Sequence, residues 1–508
     1  MRRVALLVVA ALALIPSSAQ AGDRYNSKPY RDLVTVPGMV QHEQALQSIA
    51  DANNGTRVAG SPGNDQTVDY IYNTMSALPG WTVKRQPFDF PFFQETASPS
   101  FEQTAPVPKP FTENTDFLTM SYSGSGDVTG NVTAVGPLNV PIGDTPPGTT
   151  TSGCDPQDFA TFPRGDIALI QRGSCNFSVK AHNAEDAGAI GVVIFNEGQP
   201  GRTDPTAGNL GEPFTVPIIG ATYQLGVDTL EALKNGPVTF HIVTHTISET
   251  RTTYNVIADS PYGNPDRTVV ISAHNDSVGA GPGINDDGSG TSMDLELARH
   301  LGEHGQKPRN HVRFIWVGAE EEGLLGSTYY VSQLSDQEKS QIIAMLDFDM
   351  VASPNWARQI YDGDGSTFGS DVSGPNGSGF IEGLFSAWFD SQGQAHEPIP
   401  FDGRSDYVAF TDAGIPAGGT FTGAEQPKTA EEQALFGGTV GEALDPCYHQ
   451  ACDTINNLNL TVFGQMKDAA ADVLYQLMLT RNPIVDGSSI KHGKKLKNPG
   501  FVGETAAK

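Results

Sequence analysis

The chain has 508 residues, of which 38% are hydrophobic and 18% are charged, and its formal net charge is −27. This apolar content can fill a sizeable core, which excludes a disordered chain, and the length suggests about two or three domains. The negative charge argues against a nucleic-acid partner, because binding phosphates requires a basic surface.

The first 21 residues have the pattern of a secretory signal peptide. Arg2 and Arg3 give a positive start, residues 4–15 are apolar, and Ala19-Gln20-Ala21 is a small-x-small cleavage site. The apolar stretch is too short to span a bilayer, and no later apolar run reaches about 18 residues. We therefore predict a secreted, extracellular protein with no membrane partner.

The four cysteines fall into two close pairs along the chain, Cys154 with Cys175 and Cys447 with Cys452. Export to an oxidising compartment makes two disulfides the preferred interpretation. The alternative is a structural zinc site, but the chain has no CxxC spacing of the kind typical of such sites.

The first 250 residues contain two regions that differ in composition and in the pattern of apolar residues. In residues 41–90, apolar residues between Val68 and Met75 recur at helical spacing, and a strand is predicted at residues 81–84. Residues from about 113 to 247 are glycine-rich, with short β-like runs. Their predicted elements are the strands 167–170 and 189–195 and the helix 177–187.

From about residue 248, predicted buried strands alternate with helices. The strands are predicted at 268–272, 312–317, 345–350 and 358–361, and the helices at 292–301 and around residues 466–477. Apolar strands that alternate with helices imply a mostly parallel sheet covered on both faces. The predicted fold class is therefore α/β, a three-layer αβα sandwich. After about residue 482 the chain is polar and lysine-rich, which predicts a flexible tail.

Charged residues follow or interrupt three of these buried strands. His274 follows the first, Glu320, Glu321 and Glu322 follow the second, and the third contains Asp347 and Asp349. Active sites of such sheets lie beyond the carboxyl ends of the strands, and a buried carboxylate without a partner is costly. Imidazole and carboxylate ligands that converge there suit Zn²⁺ in a hydrolytic site, with an unligated carboxylate as general base. Taken singly, a histidine at a strand end is more often structural, and three glutamates can form a solvated turn.

Six segments, in this order and spacing, resemble one known family. They are SAHNDSV, GINDDGSGT, VRFIWVGAEEEGLLGS, LDFDM, FDGRSDY and CYHQACDT. They are similar to the secreted, co-catalytic di-zinc aminopeptidases typified by bacterial leucyl aminopeptidases, over nearly all of residues 250–480 and more weakly over 41–90. The resemblance implies a zinc exopeptidase fold, two Zn²⁺ per chain and removal of a large apolar, leucine-like N-terminal residue.

The resemblance also implies the metal ligands. His274 and Asp349 would hold one zinc, Glu321 and His449 would hold the other, and Asp286 would bridge both. The two ions would lie about 3.5–4 Å apart, and the peptide bond after Asp286 would be cis.

The same resemblance implies the catalytic and substrate-binding residues. Glu320 would be the general base that activates water, and Tyr448 would stabilise the oxyanion. Arg404 and Phe421 would contact the substrate near its first residue, and the Cys447–Cys452 bridge would fix the loop that presents His449. If the register of the acidic run slipped by one residue, Glu321 would be the base and Glu322 the ligand.

Residues 113–247 resemble a protease-associated domain, through the segments IALIQRGSCNF and AGAIGVVIFN. This resemblance implies a smaller β-rich domain that acts as a substrate-access or interaction lid without chemistry of its own. The predicted organisation is a signal peptide at 1–21, the N-terminal part of the peptidase domain at 22–112, the inserted domain at 113–247, the main part of the peptidase domain at 248–482 and the tail at 483–508.

Three alternatives remain beside the aminopeptidase prediction. A zinc carboxypeptidase on the same scaffold would cleave amino-blocked peptides, whereas an aminopeptidase would not. A catalytically inactive binding protein would have lost ligands, yet every candidate ligand and Glu320 are retained. A single-zinc cyclising acyltransferase would not need the full two-metal set. The expected partners are peptides or proteins with a free N-terminus, and the chain is expected to be a monomer.

Overall fold

A computed structural model describes residues 25–303 and 306–486. The predicted signal peptide at 1–21 and most of the predicted tail at 483–508 lie outside these residues. The described chain forms two compact units, one of residues 25–86 and 254–486 and the other of residues 87–253. The domain predicted at 113–247 falls inside the second unit.

The elements are numbered in chain order. The strands are β1 Thr82–Ala105, β2 Lys109–Phe111, β3 Phe117–Thr119, β4 Gly126–Val135, β5 Ile167–Gln171, β6 Gly191–Phe195, β7 Ile218–Ala221, β8 Thr239–Asp259, β9 Asn264–His274, β10 Asn310–Val317, β11 Ile342–Asp347, β12 Gln359–Tyr361, β13 Glu397–Ile399 and β14 Ala417–Phe421. The α-helices are α1 Lys28–Arg31, α2 Val36–Ala52, α3 Pro62–Ser76, α4 Phe177–Ala187, α5 Tyr223–Leu233, α6 Gly288–Arg299, α7 Leu325–Ser332, α8 Asp336–Gln341, α9 Ser378–Ser391, α10 Tyr407–Asp412, α11 Ala430–Phe436 and α12 Leu460–Leu479. Short 3₁₀ helices occur at Pro156–Phe159, Ser370–Val372 and Ile455–Asn457.

The sheet of the first unit has the order β8–β10–β9–β11–β14–β12–β13. Its four central strands, β10, β9, β11 and β14, are parallel, and His274 lies opposite Val317 at their carboxyl ends. The β8–β10 and β12–β14 pairs are antiparallel, and β12 and β13 are parallel. Side chains that follow β9, β10 and β11 are therefore brought to one edge of the sheet.

Successive residues of the central strands pack on opposite faces of this sheet. Val269 and Ile271 belong to a core cluster that includes side chains of α3, α6, α9 and α12. Val270 packs instead with Tyr330 of α7 and Phe410 of α10. Burial on both faces explains why these strands are almost continuously apolar. It also confirms the predicted three-layer α/β fold.

Two predicted strand boundaries were clearly wrong, and one of them is that of the strand predicted at 81–84, which extends to Ala105. The strand predicted at 345–350 ends at Asp347, so Asp349 lies beyond the strand and not within it. Met350 has a positive φ of 55°, which turns the chain away from the sheet direction. Apolar residues continue to Val351 because this turn is itself buried, and a strand could not be distinguished from a buried turn by hydropathy alone.

The second unit is built around a smaller sheet in the order β8–β4–β5–β6–β7–β3. Strands β4 to β7 are parallel, and β3 and β8 pair antiparallel with their neighbours. Its Cys154–Cys175 disulfide and the Cys447–Cys452 disulfide of the first unit are both formed, which confirms the two predicted pairs.

Within the described ranges, no helix combines the length and the apolar character that crossing a bilayer requires.

Candidate active site

The predicted ligands come together at the carboxyl edge of the first unit's sheet. β9 ends in His274, and the turns after β10 and β11 carry Glu320 and Asp349. The loop between β9 and α6 supplies Asp286, and the segment closed by the Cys447–Cys452 disulfide supplies His449. Ala319 and His449 have positive φ angles of 54° and 55°, so tight turns present the side chains on both sides of the site.

Asp286 occupies the centre of this cluster. Its Oδ1 lies 3.1 Å from Nε2 of His274, and its Oδ2 lies 3.2 Å from Nε2 of His449. The two oxygens of one carboxylate thus face two different imidazoles. The peptide bond between Asp286 and Asp287 is cis, as the family resemblance implies.

Further carboxylates complete a donor group on each side of Asp286. On one side, Oδ1 of Asp349 lies 3.9 Å from Nε2 of His274. On the other side, Oε2 of Glu321 lies 3.0 Å from Nε2 of His449, and these two residues with Asp286 could hold a metal ion. Oε2 of Glu320 lies 3.9 Å from Nε2 of His274. The geometry therefore pairs Glu321, and not Glu320, with His449.

The cluster fits a divalent cation such as Zn²⁺. Its donors are imidazole nitrogens and carboxylate oxygens, which are the ligands of hydrolytic zinc sites. The buried atoms Oε1 of Glu321 and Oδ1 of Asp349 accept no hydrogen bond within the described parts of the chain. Buried oxygens without donors are costly, and a cation would satisfy them.

The electrostatics of the cluster point in the same direction. Burial opposes the protonation of His449, but the carboxylates of Glu321 and Asp286 outweigh it and raise the pKa of His449 to about 11. Burial, with the nearby charge of Asp286, raises the pKa of Asp349 to about 7. Burial, followed by the charges of Glu321 and Asp349, also raises the pKa of Glu320 well above its usual value. The pKa shift of His449, and part of those of Asp349 and Glu320, reflects crowded negative charge that bound cations would neutralise.

A second layer of acidic residues holds the main chain of the ligands. Asp276 accepts hydrogen bonds from the main-chain nitrogens of Glu320, at 3.2 Å, and Glu321, at 3.4 Å. Asp287 accepts hydrogen bonds from the nitrogens of His274, Gly290 and Met350. The oxygens of Asp287 are thus occupied by N–H donors, which makes it a supporting group. Its carboxylate nevertheless lies within 4.8 Å of the nearest ligand atoms of His274 and Asp349.

Two further supports were not singled out from the sequence. Asp453 accepts hydrogen bonds from the nitrogens of Asn285, at 2.9 Å, and Asp286, at 3.1 Å. Oγ of Ser405 lies 2.9 Å from Oδ2 of Asp349. Ser405 lies in the segment FDGRSDY, and Asp453 lies in the segment CYHQACDT. The sequence signal that could have found them is a polar residue close to a predicted site residue in the same motif.

A cavity of about 300 Å³ opens beside the cluster. Apolar parts of its wall come from Met350, Tyr361, Ile399, Pro400 and Phe421. Arg404 and Tyr448 also line it, so the structure brings all the predicted catalytic and substrate-binding residues to one cavity. The hydroxyl of Tyr448 accepts a hydrogen bond of 3.2 Å from Nη2 of Arg404, and the Tyr448 ring stacks on His449. The roles predicted for these residues stay predictions.

A mostly parallel sheet whose carboxyl edge carries an imidazole–carboxylate cluster beside a cavity is typical of metal-dependent hydrolases. Comparisons with known proteins narrow this class. The sequence matches Peptidase family M28 over residues 255–474 and the PA domain over residues 128–228.

Similar proteins match the chain over most of its length. An aminopeptidase of Pseudomonas aeruginosa is 44% identical over 467 residues, which cover 91% of this chain and 84% of that protein. Leucine aminopeptidase 2 of Arthroderma otae is 40% identical over 435 residues, covering 85% of this chain and 82% of that protein. The solved aminopeptidase from Aneurinibacillus sp. strain AM-1 is 28% identical with a TM-score of 0.59, covering 91% of this chain and 99% of that one.

The chain therefore belongs to peptidase family M28, as an aminopeptidase that carries an inserted PA domain. The family, the hydrolase class and the inserted PA domain predicted from the sequence are confirmed. These relatives also favour the aminopeptidase prediction over the carboxypeptidase alternative.

Proposed function

We propose that this protein is a secreted zinc aminopeptidase that uses two Zn²⁺ ions to remove large apolar residues from the free N-termini of peptides or proteins. The observation that carries the proposal is the central carboxylate of Asp286, whose two oxygens face His274 and His449. A carboxylate that faces two donor groups suits a site for two metal ions.

The ions would be held by His274, Asp286 and Asp349 on one side, and by Asp286, Glu321 and His449 on the other. Zn²⁺ in such a site polarises a carbonyl oxygen and lowers the pKa of water towards about 7. Glu320 is buried next to this group without pairing to His449. It is therefore the carboxylate best placed to take a proton from the attacking water and pass it to the leaving amine.

The other residues of the cavity would bind and orient the substrate. Tyr448 would donate a hydrogen bond to the developing oxyanion, and Arg404 would hold its hydroxyl in place. The apolar wall that includes Tyr361, Ile399 and Phe421 supports a preference for a large apolar first residue. The names of the leucine aminopeptidase relatives support the same preference.

Secretion is supported by the signal-peptide pattern of residues 1–21 and by two disulfides, which persist in oxidising compartments. The monomeric state stays a prediction.

A panel of aminoacyl p-nitroanilides, assayed with and without a chelator, tests the activity. We expect the leucine substrate to be cleaved faster than glycine and aspartate substrates, no cleavage of the N-acetylated leucine substrate, and loss of activity on chelation with recovery on adding Zn²⁺. Release of C-terminal residues from N-acetylated peptides would contradict the proposal and indicate a carboxypeptidase.

Elemental analysis tests the metal count separately. Protein purified without chelator is expected to contain two zinc ions per chain. One zinc or fewer, even after zinc is added back, would contradict the two-metal site.

A further inference from the structure

Arg57 is fully buried, and its guanidinium group is bonded to main-chain carbonyls. Nε donates to the carbonyl of Pro282 at 2.9 Å, Nη1 to that of Asn275 at 2.8 Å and Nη2 to that of Gly283 at 2.6 Å. The main-chain nitrogen of Arg57 also donates to Oγ of Ser277 at 2.8 Å. One residue thus ties together both ends of the loop between residues 275 and 283.

The ends of this loop lie next to proposed metal ligands. Asn275 directly follows His274, and Gly283 comes three residues before Asp286. The packing there is close: Gly283 has a φ of 63°, and an added Cβ would lie 2.4 Å from the carbonyl oxygen of Asp286 and 3.2 Å from Nη2 of Arg57. The position of the guanidinium group therefore determines where the main chain enters and leaves the loop.

The charge of Arg57 acts on the same residues. Four buried carboxylates, those of Asp276, Glu43, Asp453 and Asp287, interact with it electrostatically. The three aspartates among them hold the main chain of a proposed ligand or of Glu320. Since the hydrogen bonds of Arg57 go to carbonyls, its charge is shared among the carboxylates instead of being neutralised by one of them.

We propose that Arg57 is a positioning residue for the metal site, which it serves by fixing the loop that carries His274 and Asp286. The inference rests on the proposed function, because it concerns affinity for Zn²⁺. It also gives the segment before the inserted domain a part in the active site, since Arg57 belongs to residues 25–86 of the first unit.

The test compares Arg57→Met and Arg57→Lys in the full chain, with Arg358→Met as the matched control. Arg358 is another buried arginine, and it donates to the carbonyl of Ala395, but it does not bond the loop between residues 275 and 283. The affinity for Zn²⁺ is measured by competition with a chromophoric chelator, and circular dichroism and thermal unfolding report the fold. Activity at saturating Zn²⁺ separates kcat from KM.

We expect Arg57→Met to bind Zn²⁺ at least about tenfold more weakly, as is usual when support behind metal ligands is removed. Arg57→Lys keeps the charge but cannot present the planar fork of donors, so it should also bind more weakly than the parent, by up to the same factor. Arg358→Met should stay within about twofold of the parental affinity. At saturating Zn²⁺, the Arg57 variants should lose kcat with little change in KM.

Parental Zn²⁺ affinity in folded Arg57→Met or in folded Arg57→Lys would overturn the inference. If Arg57→Met does not fold, Arg57→Lys alone decides the question. A parent chain that binds no Zn²⁺ would instead contradict the proposed zinc aminopeptidase, a result that is distinct from parental affinity in the variants.

Discussion

Two adjacent glutamates have different surroundings, although the sequence alone leaves their register open. Glu321 lies 3.0 Å from His449 through its Oε2, whereas the nearest imidazole nitrogen to Oε2 of Glu320 is that of His274, at 3.9 Å. The positive φ of Ala319 turns the chain just before them. This geometry favours Glu320 as base and Glu321 as ligand over the register shifted by one residue.

Glu320→Gln keeps the shape of the side chain but removes the basic oxygen. We expect this variant to fold and to bind the same amount of zinc, while kcat falls by about 10²–10⁴-fold, the usual contribution of a positioned acid–base group. Steady-state kinetics and elemental analysis of the same preparation check both parts.

Glu321→Gln is the matched comparison, because it should weaken the binding of one zinc ion. The shifted register would be correct if Glu320→Gln kept nearly full activity while Glu321→Gln lost turnover with both metal ions bound.

The sequence could predict which side chains lie together at one edge of the sheet, but not the residues that support them, even where these lie inside the same motifs, as Ser405 and Asp453 do. His274, Glu320 and Asp349 could be predicted as neighbours because each lies at or just beyond the end of a strand of one parallel sheet. Arg57 could not, since its partners are main-chain carbonyls more than 200 positions away. The residues next to Arg57 in the sequence do not indicate which main-chain carbonyls will accept its hydrogen bonds.

At the scale of elements, the predicted strands exist, but several strands, among them β8 and β14, and several strand ends were not predicted. β9 and β10 contain the predicted strands at 268–272 and 312–317, because buried strands are recognisable as short apolar runs. β11 ends earlier than predicted, at Asp347. The end of a strand depends on where its neighbours stop pairing, which is a property of the sheet and not of the segment.

The loop closed by Cys447 and Cys452 presents His449, so its disulfide is expected to matter for metal binding. The double variant Cys447→Ser/Cys452→Ser frees this loop and should weaken Zn²⁺ binding by about tenfold. Competition with a chromophoric chelator measures the change.

The matched control for this loop is Cys154→Ser/Cys175→Ser, which removes the disulfide of the second unit. It should cost that unit about 3 kcal/mol of stability and leave the Zn²⁺ affinity unchanged. Equal affinities in the two double variants would show that the Cys447–Cys452 disulfide does not position His449.

Asp259 joins β8 to β10 through an ion pair whose strength depends on pH. It accepts hydrogen bonds from Nε of Arg313, at 2.6 Å, and Nη2 of Arg313, at 3.1 Å, and its Oδ1 lies 2.9 Å from Nε2 of His311. Burial alone would raise the pKa of Asp259, but these partners outweigh it and hold the pKa at about 2. Because the folded pKa lies below the ordinary value of 3.8, the stabilisation is present above about pH 4 and is lost as the pH falls towards 2.

Asp259→Asn is therefore expected to lower the free energy of unfolding of the first unit by up to about 2 kcal/mol at pH 7. The difference from the parent should shrink below about pH 4. Urea unfolding between pH 7 and pH 3 checks this, with Asp69→Asn as control, because Asp69 forms an exposed pair with Arg85 that should contribute less than about 1 kcal/mol. A difference that stayed constant down to pH 3 would show that the charge of Asp259 is not its source.

At the scale of the whole molecule, the chain divides into two units. The proposed metal ligands belong to the first unit, which is assembled from segments on both sides of the second unit in the sequence. The second unit has its own core clusters and its own disulfide. The two units are thus expected to respond differently to loss of metal.

Removal of zinc should destabilise the first unit and leave the stability of the second unchanged. A ligand that binds only the folded state stabilises it by about 2.7 kcal/mol when its concentration is 100 times its Kd. This stabilisation acts on the unit that contains His274, Asp286 and His449, where the uncompensated carboxylates would also repel one another.

Calorimetry with a chelator, compared with the same chelator saturated with Zn²⁺, measures the loss of stability, and hydrogen exchange assigns that loss to segments. We expect amides of β9, β10 and β11 to lose protection while those of β5 and β6 do not. Equal loss in both sets would mean that metal binding stabilises the molecule as a single cooperative unit.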